Sequence, residues 1–157
     1  DTLVLKAARA LARAAGVEAG AALVLEKNLP VASGIGGGSA DAAAALRLLT
    51  RLWRIDPSHA ASVAPGLGAD VPACLLSMTA RGAGVGDALQ LADAGVAGQA
   101  VLLVNPGVAV STAAVFARWD GVDRGPLGDW RAGRNDLEGP ARLLAPEVGD
   151  VLEWLED

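Results

Sequence analysis

The sequence feature that most restricts this chain is a run of glycine at positions 34, 36, 37 and 38. It follows a short apolar segment, Ala21–Glu26, for which we predict a β-strand. A helix with one apolar face is predicted after it, from Ser39 or Asp41 to about Trp53. The glycines therefore form the turn between a strand and a helix.

Backbone chemistry makes this turn a candidate anion site. Glycine leaves no side chain where a ligand could touch the backbone. The first N–H groups of the following helix are unpaired and lie at the positive end of its dipole, which suits a polyphosphate. The hydroxyl of Ser39 could bind phosphate or magnesium. The alternative is a turn without a ligand, in which Ser39 caps the helix and Asp41 complements the dipole in its first turn.

Neighbouring residues exclude three better-known glycine motifs. A Walker A loop needs Lys and then Ser or Thr after its last glycine, but Gly38 is followed by Ser39 and Ala40. A dinucleotide-binding fingerprint requires glycine where Ser39 stands. The His-Arg-Asp and Asp-Phe-Gly sequences of protein kinases are absent.

Composition narrows the classes of partner. The chain has 157 residues, 52% of them hydrophobic, and a net charge of −5 without a Lys/Arg cluster, which argues against nucleic acid and against a membrane surface. A single cysteine, Cys74, precludes an internal disulfide and fits a cytoplasmic location. Because the chain starts at Asp1 and stops within a predicted helix, we expect it to be a piece of a longer protein.

Periodicity and turn chemistry predict the remaining elements. They are a first helix over Leu3–Ala14 with Gly16 as its C-cap, a helix opened by Asp56-Pro57, two short strands around a turn within Thr79–Gln90, a buried strand at Ala100–Asn105, a helix from the Ser111-Thr112 cap through Trp119, and a last helical stretch from Asn135-Asp136.

Pro30 to Ser39 resembles the second motif of the GHMP kinase superfamily, Pro-x-x-x-Gly-[Leu/Ile]-Gly-x-x-Ser. The triple glycine with the following Ser-Ala-Asp-Ala-Ala is similar to the family of 4-diphosphocytidyl-2-C-methyl-D-erythritol kinases. Three later segments match that family in the same order. They are Gly68-Ala-Asp70-Val-Pro72, the Pro-Gly-Val-x-x-x-Thr-x-x-x-Phe segment that ends at Phe116, and Asn135-Asp-Leu-Glu138.

The resemblance implies an α/β fold of the two-lobed α+β GHMP type, with an N-terminal lobe like ribosomal protein S5 domain 2. Residues 1–95 would be part of that ATP-binding lobe, and residues 96–157 would begin the C-terminal lobe. The implied activity is ATP- and Mg²⁺-dependent phosphorylation of the 2-hydroxyl of a cytidine-diphosphate sugar alcohol in the non-mevalonate isoprenoid pathway. The implied ATP-binding residues are Pro30, Val31, Ala32, Ser33, Gly34, Ile35, Gly36, Gly37, Gly38, Ser39 and Ala40.

Three further residues receive roles from the resemblance. Asp70 would be the catalytic base, although from the residues alone it reads as an N-cap ahead of Pro72. Thr112 and Phe116 would bind the substrate, with Phe116 stacked on cytosine. Without the resemblance, Phe116 would be a core residue and Thr112 a cap.

The chain departs from the family pattern at both ends. An N-terminal Lys, an Asn, a Tyr-His pair and a C-terminal Gly-Ser-Gly loop have no counterpart in it, and Ala40 stands where many members have a second serine. We therefore expect the isolated chain to be inactive or impaired, and its longer parent to be a monomeric or homodimeric kinase. The alternatives are a homoserine- or mevalonate-type GHMP kinase and a non-catalytic nucleotide-binding module.

Overall fold

A computed structural model describes residues 2–18, 20–28, 34–93, 95–96, 98–129, 131 and 133–156. These residues form two compact units. The first takes in the described residues up to Ala100 except Gly34, and the second takes in Gly34 and the described residues from Val101 onward.

Helices dominate the described residues, with one pair of strands. In chain order the elements are α1 (Leu3–Ala15), α2 (Gly37–Trp53), α3 (Pro57–Leu67), α4 (Val71–Leu76), β1 (Ala80–Ala83), β2 (Ala88–Leu91), α5 (Thr112–Phe116), α6 (Glu138–Leu144) and α7 (Pro146–Glu156). Among the described helices, none has both the length and the apolar character needed to cross a membrane.

The core of the first unit lies among its four helices. The predicted apolar face of α2 is confirmed, since Leu46 is 0% and Leu49 1% exposed. These side chains pack with small and branched residues of the other three helices, namely Ala7, Leu11, Ala60, Ala64 and Val71. The alanines let the helices approach closely, and Val71 anchors the start of α4 in this cluster.

Local cap chemistry predicted two helix boundaries correctly. Gly16 ends α1 in the left-handed conformation, with φ 64°. Asp56 caps α3, where its carboxylate accepts a hydrogen bond from the Ser58 amide at 2.8 Å, and Pro57 is the first helical residue.

The predicted start of α2 was wrong. The helix begins at Gly37, and its N-cap is Gly36 with φ 69°, so Ser39 does not cap it. Glycine adopts the left-handed conformation without a steric cost, and this lets the helix start inside the glycine run. The first turn holds no acidic residue, so Asp41 is not the first-turn dipole partner that the sequence predicted.

Two predicted strands, Ala21–Glu26 and Ala100–Asn105, are not strands in the structure. The second segment is also not buried, since Val101 is 77% and Leu103 72% exposed. A strand needs a hydrogen-bonded neighbour. Among the described residues the only sheet is the two-stranded one formed by β1 and β2.

The predicted hairpin is confirmed. β1 pairs antiparallel with β2, with Ala80 opposite Leu91 and Ala83 opposite Ala88. Its turn contains Gly86, whose φ is 96°. A Cβ on Gly86 would lie 3.7 Å from the carbonyl oxygen of Ala69, so the turn lies against the residue that precedes Asp70.

In the second unit, Ser111 caps α5 as predicted, accepting from the Ala114 amide at 3.3 Å. The helix ends at Phe116 rather than Trp119. The final helical stretch is confirmed as α6 and α7.

Candidate active site

The predicted ATP loop is described from Gly34 onward. Pro30, Val31, Ala32 and Ser33 lie outside the described residues. Ile35 is 48% exposed, although it is apolar. Gly36, Gly37, Gly38, Ser39 and Ala40 form the N-cap and first turn of α2.

The first turn of α2 presents backbone donors. The Ala40 amide donates to the Gly36 carbonyl at 3.0 Å and is the first to close a helical turn. Helix geometry leaves the preceding amides, those of Gly37, Gly38 and Ser39, without an acceptor inside the helix. Among the described residues, a Cβ on Gly37 or Gly38 would meet no atom within 4 Å other than those of its chain neighbours and of the helix backbone itself. The surface over these donors is therefore open to a ligand.

Asp70 lies beside this first turn. A Cβ on Gly36 would lie 3.8 Å from Oδ2 of Asp70. Asp70 occupies the N-cap position of α4, but its side chain makes no capping hydrogen bond. The carboxylate is exposed. Asp70 thus occupies the N-cap position that the alternative gave it, but its carboxylate is not used for capping and is left available for a ligand.

A lysine reaches α2 from the segment before the loop. Nζ of Lys27 lies 2.6 Å from Oδ2 of Asp41, on the second turn of the helix. Lys27 is therefore paired rather than simply solvated. The opposite charges of the two residues, on either side of the glycine run, are the sequence signal for this contact.

Sequence reasoning missed Arg47, the one charged residue between Ala42 and Leu49 of α2. Its Nη1 donates to the carbonyl of Cys74 at 2.7 Å and to that of Leu75 at 3.3 Å. These carbonyls belong to the last turn of α4, where helix geometry leaves them unpaired. A cation within an otherwise apolar helical segment was the available signal.

Burial raises the pKa of the Cys74 thiol, and the nearby Asp70 carboxylate adds to this effect, while the Arg47 guanidinium opposes it. Cys74 is half-buried, as expected for a packed thiol.

The two predicted substrate residues lie in the second unit. Thr112 opens α5 and Phe116 closes it one turn later, which puts both on one side of the helix. Phe116 is 54% exposed and is not a core residue. The cap of α5 is Ser111 rather than Thr112. The alternatives, a core position for Phe116 and a capping role for Thr112, are therefore wrong.

The oxygen groups near the loop fit magnesium, which prefers carboxylate and hydroxyl oxygens together with phosphate oxygens. Asp70 supplies an exposed carboxylate beside the first turn of α2, and Ser39 supplies a hydroxyl within it. The described residues contain no cluster of three or more His, Cys, Asp or Glu side chains. Nucleotide phosphates would have to complete such a coordination shell.

A protein-family model matches part of the first unit. Residues 2–78 match the model of the GHMP kinases N terminal domain. This range contains α1 to α4, the glycine run and Asp70.

Curated relatives carry one name. The chain is 54% identical to "4-diphosphocytidyl-2-C-methyl-D-erythritol kinase" of Rhizorhabdus wittichii, over 99% of the chain and 56% of that protein. It is 47% identical to the protein of the same name from Hyphomonas neptunium, over 99% of the chain and 57% of that protein. The chain therefore spans a little over half the length of these relatives.

A solved structure agrees with them. The chain superposes on the crystal structure of a 4-(cytidine 5'-diphospho)-2C-methyl-D-erythritol kinase with a TM-score of 0.71 and 33% sequence identity. The match covers 96% of this chain and 60% of the chain in that crystal structure. The predicted α/β fold class and the resemblance are both confirmed. Residues 2–78 are thus similar to the GHMP kinases N terminal domain, and nearly the whole chain is similar to the kinases named above.

Proposed function

We propose that this chain supplies the phosphate-binding loop and the catalytic base of an ATP-dependent kinase that phosphorylates the 2-hydroxyl of 4-diphosphocytidyl-2-C-methyl-D-erythritol. The observation that carries the proposal is the position of Asp70. The Asp70 carboxylate, which makes no capping hydrogen bond, lies next to Gly36. Gly36 is the N-cap of α2, and the first amides of α2 have no acceptor inside the helix. A phosphate on those amides and a hydroxyl at that carboxylate would be neighbours.

The ATP triphosphate would bind the amides of Gly37, Gly38 and Ser39. These donors carry partial positive charge at the helix N-terminus, and among the described residues no atom outside the helix lies within 4 Å of a Cβ built on Gly37 or Gly38. The resemblance assigns residues 30–35 to the same ATP-binding motif. Bound Mg²⁺ would neutralise charge on the phosphates, and the Ser39 hydroxyl in the first turn of α2 would help to hold it, which leaves Asp70 as the base.

Asp70 would act on the acceptor. As the substrate hydroxyl oxygen bonds to the γ-phosphorus, its O–H bond breaks and the proton passes to the Asp70 carboxylate. The bond between the γ-phosphorus and the bridging oxygen breaks, and ADP leaves with that electron pair. Most of the rate enhancement would come from alignment, because phosphoryl transfer needs little covalent help.

Phe116 and Thr112 would recognise the cytidine end of the substrate. An exposed aromatic ring offers its face to a base, and such stacking contributes about 1–3 kcal/mol. Thr112, one turn away on the same side of α5, offers a hydroxyl for a polar contact. The names of the curated relatives support this substrate, and the exposure of Phe116 supports a base-stacking role.

The test is an ADP-release assay on the full-length parent with two acceptors, 4-diphosphocytidyl-2-C-methyl-D-erythritol and homoserine. We expect turnover with the first acceptor alone. Turnover with homoserine alone would indicate another GHMP specificity. ATP binding without turnover on any acceptor would indicate a nucleotide-binding module and overturn the proposal. The 157-residue chain, assayed in parallel, should show little or no turnover.

A further inference from the structure

The helix that carries the phosphate loop also holds the far end of the helix that carries Asp70. α2 begins beside the Asp70 carboxylate, at Gly36, and three turns later it places Arg47 at the last turn of α4. α4 has only six residues, so these two points of α2 lie at its opposite ends.

A chain of two hydrogen bonds leads from Arg47 to Asp70. Nη1 of Arg47 donates to the Cys74 carbonyl at 2.7 Å. The amide of Cys74 donates in turn to the carbonyl of Asp70 at 3.0 Å. The carbonyl and the amide of Cys74 belong to different peptide groups, so the link is mechanical: a shift of Cys74 at Arg47 also shifts the amide that binds the Asp70 carbonyl.

Packing holds the two ends of α4 unequally. Val71 at its start is fully buried, whereas Leu75 at its end is only partly buried against the core, and Pro72, Leu75 and Leu76 line a cavity of about 580 Å³. The opposite wall of this cavity includes residues of α2 and α3. Close packing there is incomplete, and Arg47 spans the gap by hydrogen bonding to carbonyls that the helix cannot satisfy itself.

We infer that Arg47 is a positioning residue for the phosphoryl transfer: it fixes the orientation of α4 and thereby the distance from the Asp70 carboxylate to the loop. The inference rests on the proposed function. Because Arg47 would touch neither the nucleotide nor the acceptor, its loss should slow the phosphoryl transfer step and leave ATP binding nearly intact.

The experiment compares Arg47→Ala, Arg47→Lys and Arg51→Ala in the full-length parent. Arg51 is the matched control, because it lies one turn further along α2, has the same charge and lines the same cavity. Misplacing a reacting group by about 1 Å can cost on the order of a hundredfold in rate, so Arg47→Ala should lower kcat tenfold to a hundredfold and change the KM for ATP by less than about threefold.

Arg47→Lys should recover part of the lost kcat, since it retains a cationic donor without the planar fork. Arg51→Ala should keep the wild-type kcat. Amide exchange at Cys74 should become faster in Arg47→Ala, because the backbone bond from Cys74 to Asp70 loses its support.

Two results separate the failure of this inference from that of the proposed function. An active parent whose Arg47→Ala variant keeps wild-type kcat overturns the inference alone. So does a variant in which kcat, KM and melting temperature all deteriorate together and lysine restores nothing, because that describes a purely structural residue. A parent without turnover overturns the proposed function and the inference with it.

Discussion

Gly36 and Asp70 are neighbours although 34 residues separate them in the sequence: a Cβ on Gly36 would lie 3.8 Å from Oδ2 of Asp70. This contact joins the N-cap of α2 to the residue that precedes α4. It brings the unpaired amides of the glycine run and an exposed carboxylate to one place on the first unit, and the predictions on catalysis depend on it.

Replacing Asp70 tests the proposed base. Asp70→Asn keeps the shape of the side chain but cannot accept the proton, so kcat in the full-length parent should fall by roughly a factor of 10²–10⁴. The melting temperature should hardly change, because the Asp70 side chain makes no capping hydrogen bond. Asp87→Asn, in the hairpin turn, is the control and should retain activity. Equal kcat for Asp70→Asn and wild type would exclude the base.

Alanine at positions 36 and 37 should affect folding and binding differently. Gly36 has φ 69°, and an L-residue pays roughly 1–2 kcal/mol in the left-handed conformation, so Gly36→Ala should lower the free energy of unfolding by about that amount. Gly37 is already helical with open space around its Cβ position. Gly37→Ala should raise the free energy of unfolding by about 0.5–1 kcal/mol.

ATP affinity should show whether the effect of Gly37→Ala is more than a change in stability. A methyl group on residue 37 would occupy the space proposed for the phosphate, so Gly37→Ala should weaken ATP binding while it stabilises the fold. Urea unfolding and calorimetric ATP titration measure the two effects. Unchanged ATP affinity in Gly37→Ala would place the phosphate elsewhere.

Phe116 provides a test of substrate recognition. Loss of a stacking contact worth about 1–3 kcal/mol should raise the KM for the cytidine-containing substrate roughly 5- to 150-fold in Phe116→Leu. Phe116→Tyr keeps the aromatic face and is the matched control. The KM for ATP should be the same in both variants. A Phe116→Leu enzyme with wild-type KM for both substrates would show that the ring does not contact the base.

Asp56 should make stability depend on pH in the acid range. The hydrogen bonds from Ser58 lower the pKa of the Asp56 carboxyl below its usual value. A carboxyl whose pKa is depressed by folding stabilises the fold above its unfolded pKa, near 4, and this stabilisation disappears as pH falls through the lower folded value. Asp56→Asn preserves the cap without titrating.

The difference in free energy of unfolding between wild type and Asp56→Asn should therefore be constant above about pH 5 and should shift against wild type as the pH falls below about 4. Chemical unfolding at a series of pH values measures it. If the free energy of unfolding of wild type and of Asp56→Asn changed equally at every pH, the Ser58 hydrogen bonds would not lower the pKa of Asp56.

Arg54 ends α2 in the left-handed conformation, with φ 53°. Glycine there removes a steric cost of roughly 1–2 kcal/mol and adds up to about 1 kcal/mol of chain entropy, so Arg54→Gly should stabilise the protein by roughly 0.5–1 kcal/mol. Arg51→Gly, inside the last turn, should instead destabilise it by about 1 kcal/mol. Thermal unfolding of both variants measures the difference, and a less stable Arg54→Gly would contradict the explanation.

Features set by neighbouring residues could be predicted from the sequence. Gly16, the Asp56-Pro57 pair and the hairpin turn each determine their own backbone conformation, and all three predictions are confirmed. The start of α2 was missed by two to four residues, because Gly36 rather than a residue with a capping side chain is the N-cap of the helix.

Features that depend on distant residues were beyond sequence reasoning. Ala21–Glu26 and Ala100–Asn105 have strand-like composition, but composition cannot supply a hydrogen-bonded neighbour. The family motif identified Asp70 as a candidate base, and only the fold brings it beside Gly36. Arg47 and its carbonyl partners are 27 and 28 residues apart, a distance that no local pattern reveals.

The environment of Cys74 has a practical consequence for spectroscopy. The raised pKa of the Cys74 thiol lowers its thiolate fraction below that of an ordinary cysteine, and alkylating reagents attack the thiolate. A cysteine engineered onto an exposed helix surface would consequently react with a maleimide dye well before Cys74 does. Fluorescent or spin labels could thus be attached at a chosen position while the native sulfhydryl, whose backbone links Arg47 to Asp70, is left in place.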